Sequence, residues 1–174
     1  MRDASAKDAA EIQDIYSTHV PCLASFEEVP PDACEIARRI AEIQSHGLPY
    51  IVADIGDEIG GYAYASPFRA RSAYRYTVED SGYIADSARR RGLGRALLSA
   101  VIELCTAAGY RQMVAVIGDS ANQGSIGLHS HLGCDVIGTM PAVGFKFGRS
   151  VDNVRMQRAL GTGATAPPDD HSDS

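Results

Sequence analysis

Two short stretches hold the residues best suited to chemistry. The run Thr77-Val78-Glu79-Asp80-Ser81 sets a carboxylate among β-branched and aromatic neighbours, and Arg89-Arg90-Arg91-Gly92-Leu93-Gly94-Arg95 sets three arginines against a glycine pair at the start of an apolar, helix-forming segment. A carboxylate that faces a cleft from within a strand has its pKa raised by desolvation, towards a value useful for abstracting a proton. The other reading of Glu79 is an ion pair with Arg75 or another arginine. The arginine-glycine stretch suits an anion. Glycine lets the backbone approach closely, and a helical first turn offers unpaired N–H groups at the positive end of its dipole, so a pyrophosphate would sit well. The Lys-Ser/Thr of a nucleotide P-loop is missing, as is G-x-G-x-x-G spacing. A plain strand-to-helix turn with a solvated basic face is the competing reading.

Arg69, Arg71 and Arg75 lie just before Glu79, where a loop could present them bidentately to a carboxylate or phosphinate. A solvated turn, or contacts to a second copy of the chain, would use the same residues. His129 sits in an apolar helical stretch, where a lone histidine is either structural or a proton donor. His19, His46 and His171 match no motif, and His131 reads as exposed or packing only. Cys22, Cys34, Cys105 and Cys134 form neither a C-x-x-C pair nor a zinc set, so no metal is expected and the thiols read as reduced.

These residues need elements to hold them. Ala9, Ile12, Ile15 and Tyr16 recur at helical spacing after a short first strand, with Ser5 as a cap. A second helix follows Pro30-Pro31-Asp32 and stops at Gly47. Residues 48–54 and 58–66 read as a β-hairpin, and residues 74–86 as a strand leading into the arginine-glycine turn. A helix over 93–108, a strand over 111–118, a short helix over 122–133 and two closing strands complete the pattern. The expectation is one α/β (α+β) domain over 1–160, a mixed sheet with helices on both faces. The Gly/Pro/Asp-rich tail, 161–174, is expected to be disordered.

At 174 residues with 45% hydrophobic side chains, the chain can bury a sizeable core. Its net charge of -6 argues against binding nucleic acid by bulk electrostatics. Neither a signal-peptide run nor a membrane-span-length apolar stretch is present, so a cytoplasmic location is expected.

Arg89-x-x-Gly92-x-Gly94 resembles the R/Q-x-x-G-x-G/A signature of the GNAT acyltransferases, and "NQGSIGLHSHLGC" is similar to their N-x-x-(A/S)-x-x-x-Y-x-x-x-G-(F/Y) segment, with Asn122, Ser125 and Gly133 in place. His129 replaces the tyrosine of that segment and Cys134 its aromatic residue. "YASPFRARSAYRYTVEDSGYI" resembles the signature of the phosphinothricin acetyltransferase branch, except that Gly82 stands where valine is usual; Ser150 likewise replaces a bulky residue after "FKFGR". The resemblance runs from about residue 1 to residue 158. It implies a GNAT fold with a mixed, mostly antiparallel sheet, and acetyl transfer from acetyl-coenzyme A to the α-amino group of a small amino acid or analogue, in a homodimer. It makes Glu79 the base and His129 the acid. It assigns Gly82, Tyr83, Ile84, Arg89, Arg90, Arg91, Gly92, Leu93, Gly94, Arg95 and Asn122 to the coenzyme, and Arg69, Ala70, Arg71, Glu79, Asp80 and Ser81 to the acceptor. The alternatives are a non-catalytic acyl-coenzyme A sensor and a GNAT enzyme acting on a peptide N-terminus or a polyamine.

Overall fold

The computed structural model describes residues 1–168. Along the chain run β1 (Arg2–Asp3), α1 (Ala9–His19), α2 (Ala33–Ser45), β2 (Tyr50–Ile55), β3 (Glu58–Pro67), β4 (Thr77–Ile84), α3 (Leu93–Ala107), β5 (Gln112–Gly118), α4 (Gln123–His131), β6 (Asp135–Lys146) and β7 (Arg149–Ala159). The strands form one seven-stranded sheet in the order β1-β2-β3-β4-β5-β7-β6. The β4–β5 pair is parallel and the other pairs are antiparallel. This is the mixed, mostly antiparallel sheet expected from the sequence.

The parallel pair creates the site. Pairing joins Thr77–Asp80 to Gln112–Ala115 and then stops, although β4 continues to Ile84 and β5 to Gly118. Past Asp80 and Ala115 the two strands part and leave a wedge. Alternation along β4 turns Val78, Asp80, Gly82 and Ile84 to one face of the sheet and Glu79, Ser81 and Tyr83 to the other. Helix α3 covers the first face with Leu97, Leu98, Val101 and Cys105, none more than 5% exposed. Each of those leucines and the valine stabilises the fold by about 1.5–3 kcal/mol through burial. The second face carries α1, whose Tyr16 ring meets that of Tyr83 edge-on at 4.8 Å.

Local chemistry sets the ends of the helices. Asp32 caps α2, its Oδ1 accepting the Glu35 N–H at 2.8 Å. Pro30 and Pro31 therefore precede the cap instead of filling the first turn. Ile36, Ile40 and Ile43 form the buried stripe of α2, and Gly47 at φ +69° ends the run. Helix α1 begins at Ala9, the first residue of its apolar spacing, and Ser5 stands as N-cap of the 3-10 turn Ala6–Asp8 that precedes it.

The link between α1 and α2 is drawn over the far ends of β5 and β6. A Cβ at Gly118 would lie 2.4 Å from Leu23 O, and one at Gly144 2.6 Å from the Phe26 ring, so both strands need glycine where the link crosses. Lys146, 2% exposed, donates its Nζ hydrogens to the carbonyls of Val20, Cys22 and Ser25. Burial lowers its pKa, and three carbonyl acceptors compensate for the lost water.

Beyond Leu160 the chain does not leave the domain at once. Arg111 donates to the carbonyls of Thr162 and Ala166, and Gln112 to that of Gly163, holding Gly161–Thr165 in turns. Composition gave no sign of these donors, which lie some fifty residues away in sequence. The remainder of the tail expected to be disordered, 169–174 with His171, lies outside the described residues.

Candidate active site

Between β4 and α3 the backbone enters the left-handed region twice, at Arg90 (φ +61°) and Gly92 (φ +78°). Gly92 caps α3 and has no side chain to spend on it; the first bond within the helix runs from Ala96 N–H to Gly92 O at 3.1 Å. The N–H groups of Leu93, Gly94 and Arg95 must then be met from outside, with the positive end of the dipole behind them. Gly94 belongs to the helix and not to the turn. Helix α4 brings a second N-terminus to the same place, where Asn122 Oδ1 accepts the Ser125 N–H at 3.2 Å.

A cleft of about 830 Å³ runs from these helix ends into the wedge, reaching Ser81, Gly82, Tyr83, Asp80 and His129. Arg89, Arg90 and Arg95 line it, and Arg91 lies outside the lining. Arg89 also pairs with Asp86 at 2.9 Å. Two helix ends with open donors and a set of arginines at one end of a long cleft fit a ligand with phosphates at one end and a slim arm at the other. Ile84 contributes less than expected. Its carbonyl already lies 3.0 Å from His19 Nε2, and Tyr83, in register with Tyr62, turns its backbone groups to β3 as Thr77 and Ala85 do, which leaves Gly82 as the strand edge open to a ligand.

On the opposite face, Glu79 is half-buried and makes no hydrogen bond or ion pair among the described residues. Burial raises its pKa; Arg155 opposes that, Asp80 adds to it, and Arg69 opposes it. Arg75 is occupied elsewhere, donating to Ser72 O at 3.2 Å and lying 4.6 Å from the Tyr76 ring centre. The ion-pair reading of Glu79 is not met. A second cleft, also about 830 Å³, lies on this face, with Tyr16, Tyr62, Tyr64, Arg69, Ala70 and Arg71 in its walls. Ser66, another of its residues, stands directly opposite Glu79 in the β3–β4 register. Arg69 and Arg71 are exposed and form no ion pair among the described residues.

His129 and Asp80 meet on the α3 face. His129 Nε2 lies 3.0 Å from Asp80 Oδ2, with side chains 9% and 5% exposed. Nδ1 lies 2.8 Å from Ser125 O, to which it donates its hydrogen. Both ring nitrogens thus face acceptors. Burial works against a charged ring, but the hydrogen bond and charge of Asp80 and the Ser125 carbonyl outweigh it, and the pKa of His129 is raised. Asp80 therefore does not stand with the acceptor residues where its sequence neighbours suggest; strand alternation gives it to His129. Burial also pushes the thiols of Cys105 and Cys134 up, to about 12 and about 11, which keeps them protonated.

Three contributors have no signal in the sequence motifs. His19 lines the first cleft from the end of α1, Arg155 acts on Glu79 from β7, and the stacked Tyr50, Tyr62 and Tyr64 wall the second cleft. Each comes from a segment remote in sequence, and register alone brings it near.

A parting of parallel strands beside a glycine-started helix, with an unpaired carboxylate across the sheet, defines an acyltransferase centre of the GNAT type. The family model for the acetyltransferase (GNAT) domain matches residues 1–155, and the chain belongs to that family of acetyl-coenzyme A-dependent N-acetyltransferases. The chain is 48% identical over 163 residues to a phosphinothricin N-acetyltransferase of Alcaligenes faecalis, spanning 93% of this chain and 83% of that one. It is 40% identical over 169 residues to an L-methionine sulfoximine/L-methionine sulfone acetyltransferase of Pseudomonas aeruginosa, spanning 96% and 98%. Among solved structures, a GNAT superfamily phosphinothricin acetyltransferase from Sinorhizobium meliloti in complex with AcCoA superposes with a TM-score of 0.93 at 48% identity, covering 98% of this chain and 92% of that one.

Proposed function

We propose that the protein moves an acetyl group from acetyl-coenzyme A to the α-amino group of a small amino acid or analogue of the phosphinothricin, methionine sulfoximine or methionine sulfone type. The observation that carries this reading is Glu79, unpaired and with a raised pKa, where β4 and β5 part, with the donor-lined cleft on one side and the arginine-bearing cleft on the other. The names of the relatives support the acceptor class.

When bound, the coenzyme supplies an acyl carbon activated as a thioester. Leu93, Gly94 and Arg95 N–H groups, with Arg89 and Arg90, would hold its pyrophosphate, and the open edge at Gly82, beside Tyr83, would hold its arm. Arg69 and Arg71 grip the acceptor's carboxylate or phosphinate, beside Ala70 and Ser81. Glu79 then takes a proton from the acceptor's ammonium and frees its lone pair for attack. His129, its pKa raised by Asp80, is the acid assigned to the departing sulfur. A polyamine acceptor would want acidic residues where Arg69 and Arg71 stand.

The protein acts as a homodimer in this reading. Support comes from β6, an edge strand with Val136, Ile137, Met140, Val143 and Phe145 all more than 40% exposed; a second copy would cover them. Light scattering on the wild type and on Phe145→Asp checks it, with dimer mass expected for the first only. A cytoplasmic location is supported by four free cysteines, Cys22 and Cys34 exposed.

The test is coenzyme A thiol release against phosphinothricin, methionine sulfone, methionine sulfoximine, ordinary amino acids, spermidine and an N-terminal peptide. Saturable turnover confined to amino-acid-like acceptors is expected. Turnover with spermidine or the peptide alone would overturn the acceptor assignment.

A further inference from the structure

An apolar recess of about 80 Å³ opens off the coenzyme cleft on the α3 face of β4, and the two share Asp80, Gly82, Gly94, Leu128 and His129 as walls. It goes deeper than the cleft, to Ala63 of β3 and to Leu97 and Leu98 of α3. Its origin is the absence of side chains at facing positions. Gly82 pairs with Ala63 across the strands, and a Cβ at Gly82 would meet only Ala63 Cβ at 3.5 Å and Tyr62 O at 3.7 Å within 4 Å. From α3, Gly94 faces Leu128 and Ile84, with its nearest would-be contact at 3.5 Å. Of the charged groups on the wall, Asp80 Oδ2 and His129 Nε2 meet at 3.0 Å while Asp80 Oδ1 has no hydrogen-bond partner among the described residues, and beyond them the deep end is lined by Ala63, Leu97 and Leu98. Empty apolar space inside a domain is destabilising, which makes a recess beside a reacting centre informative.

We infer that this recess is an acyl-chain pocket, and that the protein uses straight-chain acyl-coenzyme A donors longer than acetyl, through propionyl to butyryl. The inference rests on the transferase reading above and extends its donor class. The bonds are those of acetyl transfer: the C–N bond forms, the C–S bond breaks, the ammonium proton goes to Glu79 and the sulfur is protonated from His129. Only the substituent on the carbonyl carbon grows. With a methylene taking roughly the room of a water, about 30 Å³, the recess holds the two extra carbons of butyryl and excludes the four of hexanoyl. Burying each methylene is worth about fourfold in affinity, ~0.8 kcal/mol.

The experiment is calorimetric titration of the wild-type protein with acetyl-, propionyl-, butyryl- and hexanoyl-coenzyme A, followed by turnover of each with the best acceptor. Affinity should hold or rise by up to about fourfold per carbon to butyryl, then drop at hexanoyl. Ala63→Val and Leu98→Phe fill the recess from opposite walls, and either should lower the butyryl-to-acetyl affinity ratio by up to about fifteenfold, two methylenes' worth. A wild-type preference for acetyl over propionyl of tenfold or more overturns the inference without recourse to either variant. So does an unchanged ratio in a folded variant. Tight, chain-length-dependent binding without turnover on any acceptor would sink the transferase reading and leave the pocket standing.

Discussion

The two faces of β4 solve opposite problems with opposite materials. On the α3 face the groups proposed to bind are mostly backbone: the open N–H groups of Leu93, Gly94 and Arg95, the strand edge at Gly82, and a turn held by Gly92. On the Glu79 face they are side chains from separated segments, Arg69 and Arg71 from a loop and Tyr16, Tyr62 and Tyr64 from a helix and a strand. Backbone donors are fixed when the fold forms, so one coenzyme is held the same way whatever the surrounding side chains. Side-chain walls change with single substitutions, and a change there shifts acceptor choice by about 1–3 kcal/mol. In the proposed reading the molecule thus separates a fixed, backbone-based donor site from an adjustable choice of acceptor, with β4 as the partition.

The largest test of that partition is Glu79→Gln. Loss of a general base costs about 10²–10⁴-fold in turnover, while the donor face is untouched, so acetyl-coenzyme A affinity by calorimetry should stay within about twofold of wild type. A protein that only senses acyl-coenzyme A would have no turnover to lose. Next is Asp80→Asn. It removes the charge that raises the His129 pKa, and a ring left neutral keeps its one hydrogen on Nδ1, held by Ser125 O. Turnover should fall by about 10²-fold, again with acetyl-coenzyme A binding kept.

The pH profile sharpens the same pair. Glu79 works ionised, so the rate climbs with pH through its raised pKa; His129 works protonated, so the rate declines as pH rises through its own raised pKa. Asp80→Asn should move the declining limb to lower pH in a kcat titration. Stability follows the same sign. With the folded pKa of His129 above the ordinary histidine value of 6.5, the pair's contribution is fully present below that value and is lost as pH rises through the folded pKa. The melting temperature of Asp80→Asn should therefore fall further behind wild type at pH 6 than at pH 9. Arg69→Ala and Arg71→Ala come after these: each should raise acceptor KM by about tenfold, the scale of one charge-assisted hydrogen bond, with acetyl-coenzyme A affinity unchanged.

How far the sequence could be read follows the same partition. Arg89-x-x-Gly92-x-Gly94 and Asn122 were legible because a helix N-terminus and its cap are local events, specified by residues a few positions apart. The strands and helices followed for the same reason, from periodicity and breakers. Asp80 was misplaced because adjacent residues of a strand point to opposite faces, and a motif read as a line assigns neighbours to one function. His19 and Arg155 were missed because they reach the site through folding, from the end of α1 and the middle of β7. The turns over Gly161–Thr165 were missed likewise, their donors on Arg111 and Gln112 being invisible to composition. The recess at Gly82 was legible only as a departure, its meaning depending on Ala63 and Leu98 across the core.

The smallest expected effect separates the two glycines of the turn, which sequence spacing treats alike. Gly92 sits at φ +78° with nothing within 4 Å of a would-be Cβ, so Gly92→Ala brings no clash and tests the backbone alone. The left-handed conformation costs alanine about 1–2 kcal/mol, and a backbone that relaxes away from it turns the N–H groups of α3 off the coenzyme. Gly94 is helical, with a Cβ in ordinary contact at 3.5 Å from Leu128, and alanine is favoured over glycine there by about 1 kcal/mol. Gly92→Ala should weaken acetyl-coenzyme A by about five- to tenfold, the affinity equivalent of that strain, and Gly94→Ala by less than about twofold, both read by calorimetry, with acceptor KM moved by neither. Equal losses at the two positions would mean that close approach of the coenzyme to both Cα atoms, and not the handedness of one, makes this turn bind.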